Sequence, residues 1–150
     1  MNEPDETTNQ RLTRNVSELL GELRVAQAGV QILFGFLLSV VFTDQFRHAS
    51  GFEKALHLAA VVLAVLSTAL LTAPAAWHRF LFREGKREVI LRAGNRSVLA
   101  GLGLLAAAIT VTVALIAKVV YGTVAMAVVA VVVAVFFAVL WFVVPGHLRG

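Results

Sequence analysis

Long apolar runs alternate with short polar punctuation along this chain. Between Val98 and Val144 the only residue with a full charge at neutral pH is Lys118. A helix rises about 1.5 Å per residue, so roughly 20 apolar residues cross a bilayer core, and this run is long enough to cross twice. The same pattern predicts four crossings, at about Val25–Phe46, Ala55–Ala76, Val98–Lys118 and Val119–Val144. The expected fold is all-α: an integral membrane four-helix bundle made of two antiparallel hairpins. Ahead of it, residues 1–17 read as a disordered or loosely helical tail, polar as far as Gln10 with Glu3, Asp5 and Glu6. The first apolar segment lacks the basic start and small-residue cleavage site of a secretory signal and is expected to be retained.

The connections differ in character. Thr43–Lys54 carries Asp44, Arg47, His48, Ser50, Gly51 and Glu53, enough polar and turn-forming residues for a loop. At Tyr121–Gly122 the link is so short that crossings three and four must be adjacent and antiparallel. Between crossings two and three, residues 77–96 form a basic hairpin with Arg79, Arg83, Lys86, Arg87, Arg92 and Arg96 against Glu84 and Glu88.

Charge orients this arrangement. The basic hairpin is assigned to the cytoplasm by the positive-inside rule. Alternation then puts both termini inside, with Arg11, Arg14 and Arg24 before the first crossing and Arg149 after the last. The opposite side keeps Arg47, Lys54 and Lys118, so ten basic residues lie inside against three outside. Composition agrees: with 59% hydrophobic and 15% charged residues and a mean hydropathy of +0.83, too little polar surface remains to cover a water-soluble core. One small helical domain is expected.

Polar residues inside a crossing are costly unless paired, so they are the places to look for function. Ser17, Gly21, Arg24, Ala28, Gln31, Gly35 and Ser39 recur at steps of three or four and make one small and polar stripe, with Gln27 on its flank. The stripe either packs against another helix, through close backbones and glutamine hydrogen bonds, or lines a polar path with Arg24 at its cytoplasmic mouth. Glu22 and Arg24, two apart, point to different sides, and Glu22 is expected to meet a base of the inner hairpin. In the second crossing Ser67, Thr68 and Thr72 are expected to bond carbonyls of their own helix, with Pro74 kinking its inner end. Ala93, Ser97 and Gly101 give the third crossing a small-residue packing face. Trp77 and Trp141 suit interfacial anchors, His57 and His78 structural or solvated positions, and Lys118 snorkelling at a helix end.

No enzyme motif is present: no phosphate-binding glycine loop, zinc-type histidine pair, nucleophile elbow or deep carboxylate pair. With no cysteine, disulfides and thiolate metal sites are excluded. No cofactor and no metal are expected. The basic hairpin interleaves Phe80, Leu81, Phe82, Val89, Ile90 and Leu91 with its charges, and at a membrane surface its expected partner is anionic phospholipid rather than nucleic acid.

The segment Glu18–Leu38, followed by Ala73-Pro74 and by His78–Gly85, resembles a bacterial four-helix membrane family, common in actinobacteria, catalogued as domain of unknown function family 6328. The resemblance runs from about Glu18 to the end of the chain. It implies a multi-pass protein of the bacterial plasma membrane. Some relatives carry a sodium:proton antiporter label, yet an acidic residue within a crossing is missing here, Asp44 and Glu53 being assigned to the outer loop. The leading expectation is a non-enzymatic membrane protein acting by helix association, as a homo-oligomer or as an accessory subunit of a membrane complex. The alternative is a small transporter or channel component using a path along the first helix.

Overall fold

The computed structural model describes residues 8–81, 87–144 and 147, with side chains described for most positions between Gly21 and Trp77 and between Ala93 and Val144. Among the described residues there is no strand. The elements are α1 (Thr8–Val40), the short α2 (Asp44–His48), α3 (Gly51–Leu81), α4 (Arg87–Tyr121) and α5 (Thr123–Ala138), which runs on into a π-helical turn over Val139–Val143. Four of them contain stretches long and apolar enough to cross a membrane: Leu23–Val40, Gly51–Trp77, Ala93–Tyr121 and Thr123–Trp141. α1 reaches back to Thr8, well ahead of its apolar part.

Helix ends follow local chemistry. Thr43 caps α2 by accepting a hydrogen bond from the Phe46 N–H. Ser50 and Glu53 form a reciprocal box at the start of α3: the Ser50 N–H donates to Glu53 Oε2 at 2.8 Å and the Glu53 N–H donates to Ser50 Oγ at 3.3 Å. α4 and α5 are joined by Gly122 alone, whose φ of 95° is a backbone state that glycine adopts without a Cβ penalty.

The centre of the fold is α3 against α4, the most extensive helix pair. Pro74 lies inside α3 and has no N–H for the Leu70 carbonyl, its partner four residues back. Ser97 of α4 supplies the missing donor, its Oγ donating to that carbonyl at 2.7 Å. In the other direction Ser67, fully buried in α3, donates to the Gly101 carbonyl of α4 at 2.8 Å. Thr68 and Thr72 bond within α3 as anticipated, whereas Ser67 reaches across because it faces α4 at the point of closest approach. That approach depends on Gly101, where an added Cβ would stand 2.9 Å from Leu71 Cγ. Two turns back, Gly94 receives the Pro74 ring, 3.5 Å from where its own Cβ would be.

α1 packs on α3 through Leu23, Val30 and Leu37, with Ala26, Leu33 and Phe34 between them. Spacing by sevens keeps one narrow edge against the neighbour, as in a left-handed helix pair. α5 rests chiefly on α4 and has no buried residue. The assembly is therefore an open row, α1–α3–α4–α5, with α1 also brushing α4. Its surface is strongly apolar: Phe42 is 84% exposed, Val124 80% and Ile32 76%. Contiguous apolar surface on this scale is rare on a protein in water and is what a lipid environment tolerates.

Replacing Ser97 with Ala strips the Leu70 carbonyl of its substitute donor and is expected to cost about 0.6–2 kcal/mol. The cost should shrink in a Pro74→Ala background, where residue 74 regains its N–H. Unfolding titrations of the two single variants and the double in detergent micelles measure this coupling. Gly101→Val is expected to destabilise by about 1–3 kcal/mol through overpacking against Leu70 and Leu71.

Candidate functional site

Two places in the fold bring polar groups together, and the sequence pointed to one of them. The first is the small and polar stripe of α1. Gly21, Arg24, Ala28, Gln31, Gly35 and Ser39 are all exposed, on the side of α1 turned away from Leu23, Val30 and Leu37. A Cβ placed on Gly21, Gly29 or Gly35 would meet nothing within 4 Å. Gln31 and Arg24 make no hydrogen bond or ion pair with described residues. The stripe lies beside Val25 and Ile32, both 76% exposed, so an amide sits uncovered within an apolar surface.

Gln27 departs from this group. It is half-buried and donates its amide N–H to the Leu71 carbonyl of α3, a long bond at 3.5 Å that ties α1 to the Pro74 region. The two glutamines, four residues apart, are neighbours on the helix, with Gln27 at the edge of the seam with α3 and Gln31 just beyond it, exposed. The side chains of Ser17 and Glu22 lie outside the described residues. So do Arg83 and Lys86 entirely and the side chains of Arg79, Arg87 and Arg92. Arg96 is exposed on α4.

The second place is a cleft of about 450 Å³ where α1 ends, α3 begins and α4 ends. Phe36, Leu37 and Val40 from α1, Phe46 from α2, and Leu115 and Ile116 from α4 give it largely apolar walls. Two of its polar groups form an ion pair. Lys118 donates to Glu53 Oε1 at 3.1 Å, with the two side chains 16% and 20% exposed. The Lys118 ammonium also stands 4.7 Å from the centre of the Phe52 ring. Both carboxylate oxygens of Glu53 are therefore engaged, Oε2 in the α3 cap and Oε1 with α4. Outside this pair, Asp44 and Arg47 bond at 2.7 Å on the exposed face of α2, and Lys54 Nζ donates to the Arg47 carbonyl at 3.2 Å.

One turn along α3 from Glu53 stands His57, 5% exposed. Its ring meets Phe46 edge-on, with centroids 4.8 Å apart, and its Nε2 is buried without a hydrogen-bond partner. Thr112, equally buried, donates to the Ala108 carbonyl of its own helix. Among the described residues no group of three or more potential metal ligands comes together.

Hydropathy does not mark this cleft, for identifiable reasons. Glu53 is in the first turn of α3 rather than in a loop, and the Ser50-Gly-Phe-Glu53 spacing was the capping-box signal that marks that start. Lys118 lies in the last turn of α4, as the sequence suggests, and what hydropathy does not show is that its ammonium pairs there with Glu53. No short-range pattern links residues 53 and 118.

Among the described residues, these observations define an all-helical fold with four helices of membrane-crossing length. The chain belongs to the family of unknown function DUF6328, which it matches over residues 5–145. Neither a curated protein nor a solved structure matches it significantly.

The ion pair should couple the starts and ends of α3 and α4. Glu53→Gln and Lys118→Met are each expected to lower the thermal unfolding midpoint, and the double variant by less than the sum of the two. Melting curves of the four proteins in one detergent check this.

Proposed function

We propose that this protein is a four-pass membrane protein that works by helix association, forming a homo-oligomer through the outward stripe of α1. The observation that carries the reading is the position of Gln31: an amide without a partner, on an apolar surface, flanked by Ala28 and Gly35, where a second backbone can approach closely. In hydrocarbon, an unpaired amide favours a partner helix, and a second copy presents the same amide and the same small residues. An accessory role, with the stripe docked on a different membrane protein, uses the same face. A transport path is the second reading. Since the stripe faces away from the chain's own helices, such a path would run between copies, with Arg24 at its mouth.

The proposed orientation has both termini and the basic hairpin in the cytoplasm of a bacterial cell, with the Glu53–Lys118 cleft outside. Arg96 and the neighbouring bases of the hairpin would then lie at the level of anionic headgroups. The absence of native cysteine makes this simple to test. An impermeant maleimide is expected to label Gln45→Cys in intact cells and Gly85→Cys only after lysis; the reverse pattern would invert the topology.

Association is tested by intact mass measurement in native-lipid particles. The natural chain is expected to run as a homo-oligomer, and Gln31→Leu to weaken it by about 1–2 kcal/mol, roughly 5- to 30-fold in association constant. Gly35→Leu should act in the same direction by blocking close approach. A monomer in the natural chain, or assembly indifferent to both changes, would sink this reading. A stoichiometric foreign subunit would point to the accessory role, and ion flux in protein-only liposomes lost in Gln31→Leu to the path.

A further inference from the structure

The cleft at the start of α3 is not used by the association reading, and one residue of its lining carries a buried, unanswered polar atom. Burying a ring nitrogen without a partner is unfavourable, and persists where another group can complete it. His57 Nε2 is such an atom, in a side chain 5% exposed that lines the cleft. The rest of the cleft says what that group should be. The charged groups of the lining are paired: Glu53 has both oxygens engaged, Lys118 is held by Glu53 and the Phe52 face, and Asp44 bonds Arg47, which leaves His48 as the other titratable group at the rim. An added ion would have to break such a pair, so charged ligands are disfavoured. The remaining walls are mainly apolar, and a volume of about 450 Å³ lies in the range of small-molecule sites.

We infer that this cleft binds a small uncharged amphiphile, an apolar body carrying one hydroxyl or carbonyl oxygen that hydrogen-bonds His57 Nε2. The body lies along Phe36, Leu37 and Leu115. Nε2 itself is closed off in the fold, so binding requires a neighbouring side chain to move, and we assign that movement to Phe46, which stands edge-on to the imidazole on the five-residue α2. Either imidazole tautomer serves, since a hydroxyl both donates and accepts, while a carbonyl takes the form protonated at Nε2. The site opens where apolar helix surface gives way to the polar residues of α2, a position an amphiphile reaches by partitioning into the lipid first.

The test uses the full chain in lipid nanodiscs and a photoreactive eight-carbon alcohol bearing a diazirine, with labelled residues mapped by peptide mass spectrometry. Labelling of cleft residues from α1, α2 and α4 is expected to saturate and to fall at least fivefold with excess unlabelled octanol. Lipid-facing labelling of α5 should rise linearly and not be competed. His57→Leu is expected to abolish the saturable part, and His57→Gln, which retains a hydrogen-bonding group, to keep it. In the natural chain, the ¹⁵N resonance of His57 Nε2 should shift as octanol is added. Linear, uncompeted labelling throughout, or an unmoved Nε2 resonance, overturns the proposal without reliance on any variant. Saturable labelling unchanged in a folded His57→Leu protein overturns the role of the histidine.

Discussion

The interaction on which the structure depends is the exchange of hydrogen bonds between α3 and α4 around Pro74. A proline within a helix leaves one carbonyl unanswered, and in a lipid-like environment no water is there to answer it. Ser97 takes up the Leu70 carbonyl, and Ser67 reaches back to that of Gly101. Both bonds require the helices to be close, which Gly101 allows by presenting no side chain to Leu71. Ser97 answers the carbonyl that Pro74 leaves open, and Gly101 allows the approach that both serine bonds span.

The remaining helices are arranged about that pair. α1 joins it along a seam of every seventh residue and through the Gln27 amide, which lands on the Leu71 carbonyl beside the same region. A seam this narrow leaves most of α1 uncovered, which is why its small and polar residues face outward. α5 contributes no buried side chain, and its Val- and Ala-rich surface has no preferred face to turn inward. At the other end of the α3–α4 pair, Glu53 and Lys118 close the contact with an ion pair, leaving His57 beneath it with one nitrogen unanswered. The fold therefore has a closed centre and two unfinished surfaces, the α1 stripe and the cleft.

How much of this was legible depends on the range of the interaction. The four long apolar helices follow from hydropathy, since membrane-length apolar runs have few other uses, whereas the short α2 and the end of α1 at Val40, short of the expected Phe46, do not. The turn at Gly122 and the small-residue face of Ser97 and Gly101 were also readable, because turn chemistry and helical periodicity are local. The α1 stripe could be listed residue by residue, but periodicity assigns residues to a common side without saying what that side meets. Gln31 is legible as part of the stripe and Gln27 as its flank, but only the fold shows Gln27 bonded to α3 and Gln31 exposed.

By itself, then, the sequence determined an all-helical chain with four long apolar helices, the positions of its breaks and the residues sharing each face. Its motifs also led to the family. Tertiary structure alone decided that Ser97 replaces the donor missing at Pro74, that α1 turns its stripe outward, and that Glu53 meets Lys118 across 65 residues of chain. The physical reason is the same in each case. Hydropathy and periodicity are properties of neighbours along one helix, whereas a hydrogen bond between helices depends on which faces meet and how closely the backbones approach.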